Sequence, residues 1–286
     1  MTEAAKDGSP AGLILLLCGQ RSGSNHFLDL LEGRPGLMPL SEVFNPRAVY
    51  VFEAAPQLAA ALEARHGGPD GVHRAFRLRP EAAIADLRSA AGPGAHVLVK
   101  VCPAQLHGNA LRRILAQQAE GAILLTRRRL DQYVSFVKAL QSGRWQNQDT
   151  TALRPWIGVE LFLAWAAGHD RWLADVAALC TETGTPLARI DYDRDLDLPD
   201  PALVARRLEA RLAGLPLPLP ARAEGELRVE RFRRQDMTGD VFGRIANGAA
   251  LRTELEALGL LDYALSSQAE GALDAGTGGA PGVTAP

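Results

Sequence analysis

Cysteine is scarce in this chain, with three in 286 residues. Cys18, Cys102 and Cys180 lie far apart and form no CxxC pair. That excludes a disulfide framework and suits a reducing cytosol. Six histidines are equally scattered, so no metal-ligand spacing is written and no metal is expected. Long apolar runs are also missing. Leu13–Leu17 is too short to cross a bilayer or to serve as a signal core, and the polar start MTEAAKDGSPAG lacks a basic signal-peptide region. The expectation is a cytoplasmic protein without a transmembrane segment. A net charge of −2 gives no global pull toward nucleic acid or anionic membranes, so any anion site must be built locally.

What is present reads as an ordinary globular chain, 47% hydrophobic and 22% charged. Continuous apolar runs at Leu13–Cys18, His96–Cys102, Gly121–Thr126 and Pro186–Ile190 predict strands buried on both faces. Helical patterns lie between them: Ser24–Leu31, 54–65, 80–91, QLHGNALRRILAQQ, LDQYVSFVKALQSG, Pro155–Thr181 and PALVARRLEARLAG. A further stretch, Met237–Leu258, turns helical toward its end. GRPGLMP reads as a break after the first helix. Alternating strands and helices predict right-handed βαβ units and a mainly parallel sheet covered on both sides. The expected fold is thus α/β, a three-layer sandwich in one domain over residues 12–265. The segments 1–11 and 266–286 are expected to be disordered. The latter is Gly/Ala/Pro-rich and has no apolar face to offset its ordering entropy.

The first strand runs into Gly19-Gln-Arg-Ser-Gly-Ser-Asn25 and then a helix. A helix N-terminus offers unpaired N–H groups and the positive end of its dipole, which together cradle an anion. Gly23 permits close backbone approach, Ser22 and Ser24 add hydroxyls, and Arg21 supplies charge. The lysine of an ATP-binding GxxxxGK[ST] loop is absent. An ordinary βα turn capped by serine is the competing description. A second polar cluster, LLTRRRLDQYVS, follows another strand. Arg127, Arg128 and Arg129 stand at a helix start, and Ser135 lies two turns on. Positive charge there opposes the dipole and calls for an anion. Arginine with serine suits a phosphate. Two anion sites on neighbouring strand ends fit one ligand with two separate phosphates, such as an adenosine 3′,5′-bisphosphate.

RSGSNHFLDLL with SEVFNP, then LTRRRLDQYVSFVKALQSGRW, PLARIDYDRDL and RFRRQD carry a resemblance. In this order they resemble the sulfotransferases that use 3′-phosphoadenosine 5′-phosphosulfate (PAPS), most of all the bacterial carbohydrate branch typified by nodulation-factor and trehalose sulfotransferases. The similarity runs over about residues 12–263. It implies a P-loop-type sheet and sulfuryl transfer from PAPS to a hydroxyl of a carbohydrate, glycolipid or secondary metabolite, with no metal. Arg21, Ser22, Gly23, Ser24 and Asn25 match the 5′-phosphosulfate loop. Arg127 and Ser135 match the 3′-phosphate pair, and Arg233 and Arg234 the late basic motif. Glu42 matches the acid proposed as general base, and Lys100, ending the strand HVLVK, the lysine of similar enzymes. His26, on the first helical turn, is expected to pack over the nucleotide. Trp145 is expected to border the acceptor pocket, with Trp165 and Trp172 in the core. His107 and His169 are expected to be structural. Gln20 and Arg129 stand where many members carry proline. A homodimer is one assembly the resemblance allows. The rival functions are a P-loop kinase, or a non-catalytic module that binds adenosine bisphosphate.

Overall fold

The computed structural model describes residues 10–50, 55–145, 149–217 and 239–267. Strand β1 (Gly12–Cys18) is buried along its whole length, as a run with no polar side chain must be. Helix α1 (Ser24–Leu31) buries Phe27, Leu28 and Leu31, and β2 (Leu37–Leu40) follows. Three helices then begin on proline, whose fixed φ suits the first helical turn. They are α2 (Pro56–His66), α3 (Pro69–Leu78) and α4 (Pro80–Ala91). Next come β3 (His96–Val101), α5 (Gly108–Gln117), β4 (Gly121–Thr126) and α6 (Arg129–Ser142). They are followed by α7 (Val159–Thr183) and β5 (Leu187–Asp191). A π turn, Tyr192–Leu196, leads to α8 (Pro201–Leu212). Helices α9 (Gly248–Ala257) and α10 (Leu261–Leu265) close the described chain.

Among the described residues, five strands form one sheet in the order β2-β3-β1-β4-β5, and their pairings are all parallel. Side chains alternate across β1. Leu13, Leu15 and Leu17 join one core with residues of α2–α5 and α7. Ile14, Leu16 and Cys18 join the other, with Phe27 of α1 and Leu208 and Leu212 of α8. Burying each such aliphatic side chain contributes about 1.5–3 kcal/mol. The result is a three-layer α/β sandwich around a parallel sheet. A third cluster ties α6, α7 and α9 together.

Four details differ from the sequence reading, each for a physical reason. The GRPGLMP break contains β2, whose Pro39 sits on an edge strand, where a missing ladder donor is tolerated. Helix α3 was hidden by Gly71. A Cβ there would lie 1.9 Å from the His66 carbonyl oxygen, so this glycine permits helices to approach rather than marking a turn. Helix α7 starts at Val159, not Pro155. The preceding segment is held outside the helix because the Pro155 carbonyl accepts from the Ala246 N–H, and Ile157 exchanges two bonds with the Asn247 side chain. Ser266 and Ser267, the head of the expected tail, are docked against Arg129.

Candidate anion-binding site

The loop after β1 is bent into a shape that few residues adopt. Arg21 has φ +65° and Gly23 φ +87°. Arginine in this left-handed region is strained, and such strain gathers at ligand sites. Gly23 is the residue before α1, and the helix has no side-chain cap. The serine-capped turn is therefore not what forms, and the first N–H groups of α1 receive no cap from any side chain. A Cβ on Gly23 would sit 2.1 Å from the Tyr192 ring, and one on Gly19 1.9 Å from His169. Both glycines are set by neighbours as well as by backbone angle. Ser22 is fully buried, with its hydroxyl beside the Cys18 thiol.

Arg127 and Ser135 converge on this loop, as the sequence reading required. The Arg21 Nε donates to Ser135 Oγ at 2.9 Å, and an Arg21 terminal nitrogen donates to the Trp145 carbonyl. The Arg127 guanidinium donates to the Arg21 carbonyl at 3.1 Å and lies 4.6 Å from the centre of the Tyr192 ring. Its buried Nε has no hydrogen-bond partner. Burial, with Arg127 close by, lowers the Arg21 pKa to about 10. Two guanidiniums held together, with a buried N–H left over, form a donor set that an anion would complete.

The other two arginines of the triplet face elsewhere. Arg128 pairs with Asp193 at 3.1 Å and Asp131 at 3.3 Å. Arg129 is buried, pairs with Asp170 at 3.0 Å and lies over the Tyr263 ring. Both are structural, so of the triplet Arg127 alone turns toward the loop. Arg233 and Arg234 lie outside the described residues.

On the other side of β1, Lys100 bridges the loop to Glu42. The Lys100 Nζ lies 2.9 Å from Glu42 Oε1, donates to Asn25 Oδ1 at 3.0 Å and reaches Ser24 Oγ at 3.4 Å. Glu42 Oε2 accepts from Asn45 Nδ2 and Gln105 Nε2, both at 2.7 Å. Gln105 in turn accepts from the Cys102 backbone N–H. Burial raises the Glu42 pKa, but the Lys100 ammonium and the Asn45 and Gln105 donors outweigh it and hold the carboxyl below its ordinary range. Burial likewise opposes charge on Lys100, yet Cys102, Glu42 and Cys18 keep it above the usual lysine value. The Cys18 and Cys102 thiols neighbour Lys100 and share one hydrogen bond.

Three contributors escaped the sequence. Gln105 and Asn45 hold Glu42, and Tyr192 wedges between Gly23 and Arg127. His26 meets the Tyr192 ring edge-on at 6.3 Å. Trp145 packs edge-on against Phe136, while Trp165 stacks on the buried His169. The His169 Nε2 lies 3.2 Å from Gln132 Nε2, which also donates to the Gln20 carbonyl beneath the loop. No group of three metal-ligating side chains occurs among the described residues. No helix of the described residues is long and apolar enough to cross a membrane.

No family model matches this sequence, and no curated protein matches it significantly.

Proposed function

We propose that this protein is a sulfotransferase that moves a sulfuryl group from PAPS to a hydroxyl of a small molecule of the carbohydrate, glycolipid or secondary-metabolite class. The observation carrying this reading is Arg21 against Arg127 at the mouth of the β1 loop, with Arg127 Nε buried and unpartnered. Residues of this type fit a ligand with two anionic ends. Ser22, Gly23, Ser24 and Asn25 would hold the 5′ end, and Arg127 and Ser135 the 3′-phosphate. Arg21 reaches both groups of residues.

PAPS supplies a sulfuryl group on a good leaving group. The acceptor oxygen bonds to sulfur as the sulfur–oxygen bond to the 5′-phosphate breaks. Arg21, Lys100 and the loop N–H groups stabilise charge on the departing side. Glu42 takes the acceptor proton; a positioned base of this kind typically contributes about 10²–10⁴-fold. Trp145, 37% exposed beside Arg21, offers an aromatic face to the acceptor. The cytoplasm is the compartment that free buried thiols favour.

A thermal-shift assay tests the nucleotide class. Adenosine 3′,5′-bisphosphate at about 100 times its Kd should add about 2.7 kcal/mol of stability. ATP with magnesium should add much less. The opposite ranking would assign the loop to a kinase. Mass detection of a sulfated product from PAPS and mixed sugar, lipid and phenol extracts then tests the transfer itself. Bisphosphate binding without any product from such extracts would favour the non-catalytic module.

A further inference from the structure

Lys100 is buried, 4% exposed, and its ammonium has three donors. Two meet neutral oxygens on the first turn of α1, at Asn25 and Ser24, and the third meets the Glu42 carboxylate. The cation therefore stands between the anion loop and the acid. Glu42 does not depend on it for position, since Asn45 and Gln105 both hold its other oxygen. A ligand phosphate or sulfate in the loop would bring a second negative charge to the same lysine. Among the described residues, Arg21 and Arg127 are engaged toward Ser135 and Tyr192, and Lys100 is the cation paired with Glu42.

We propose that Lys100 is a shared cation for which Glu42 and the bound anion compete, so that filling the loop draws the ammonium away from the carboxylate. This rests on the sulfuryl-donor reading above. A lysine is a compact charge on a flexible stem and re-aims over short distances. Released from its ion pair, Glu42 gains affinity for a proton, at the stage when an acceptor hydroxyl has one to give. The pairing in the resting state keeps the acid occupied until a donor is seated. Coupling of this kind is reciprocal: what the anion takes from Glu42, Glu42 takes from the anion.

Calorimetric titration of adenosine 3′,5′-bisphosphate into the full chain tests it, with Glu42→Gln, Lys100→Met and the double variant alongside. Glu42→Gln should tighten Kd about fivefold or more, within the usual span of such couplings. Lys100→Met should weaken it about tenfold, as loss of one charge-assisted contact does. In the Lys100→Met background, Glu42→Gln should then change nothing. Equal tightening in both backgrounds would make the effect plain charge repulsion and overturn the proposal, as would unchanged or weaker binding by Glu42→Gln. Glu42→Ala, judged in the same way, covers the case in which glutamine disturbs the loop. Absence of any binding by the unaltered chain defeats the donor reading itself, and the coupling with it.

Discussion

The Arg21 Nε donates to Ser135 Oγ at 2.9 Å across 114 residues of sequence. This bond joins the loop after β1 to the second turn of α6. It also places the two halves of the expected bisphosphate site within one side chain's reach of each other.

Ser135→Ala should weaken adenosine 3′,5′-bisphosphate binding by about tenfold, the loss expected for one hydrogen bond to a charged group. Arg21→Lys should cost as much or more, because lysine lacks the planar fork that meets Ser135 and Trp145 together. Calorimetry or fluorescence titration measures both. An unaltered Kd in both variants would remove this bond from the site.

Glu42→Gln should keep the fold and hold the nucleotide at least as well as the native chain. Its single-turnover rate at saturating donor should fall by about 10²–10⁴-fold. A rate within about threefold of native would exclude Glu42 as the base.

Gly23→Ala should abolish anion binding and lower the melting temperature. Any Cβ there starts from φ +87° and lies 2.1 Å from the Tyr192 ring. The backbone strain alone costs about 1–3 kcal/mol. Gly23→Ala with Tyr192→Ala should recover part of the stability but not the binding, which separates the crowding from the loop geometry.

His169 carries a pH dependence whose sign is fixed by its burial. Burial, and then the Arg129 charge, lower its pKa to about 4. The unfolded chain takes up the proton near pH 6.5, and the folded chain resists until about pH 4. Its contribution is therefore complete above pH 6.5 and is lost as pH falls toward 4, about 3 kcal/mol at most. Denaturant melts of His169→Phe across that window should show a flatter acid decline than the native protein. Identical slopes would assign the decline to other groups.

Much of the site was legible because its signals are local. A strand, a glycine-serine loop and a helix announce a cradle, and a lysine closing an apolar strand announces its edge. What stayed hidden depends on contacts between distant segments. Gln105 reads as the start of a helix, yet it lies before α5 and clamps Glu42 from 63 residues away. The triplet Arg127-Arg128-Arg129 looked like one cationic group. Successive side chains at a helix start point in different directions, so a single member reaches the loop while the others meet Asp193 and Asp170. Tyr192 gave no sign, because nothing local reveals that the π turn after β5 lies over Gly23. The edge strand β2 was masked by its own proline.

Among the described strands β1 comes first in the chain, yet it sits at the middle of the sheet. Both of its neighbours, β3 and β4, emerge some eighty to a hundred residues later. A nascent chain therefore carries its most apolar segment with two unsatisfied edges through much of synthesis, an invitation to stick to other chains. The strands that close its edges also lead to Lys100 and Arg127, so completing the sheet around β1 brings both cations to the candidate site.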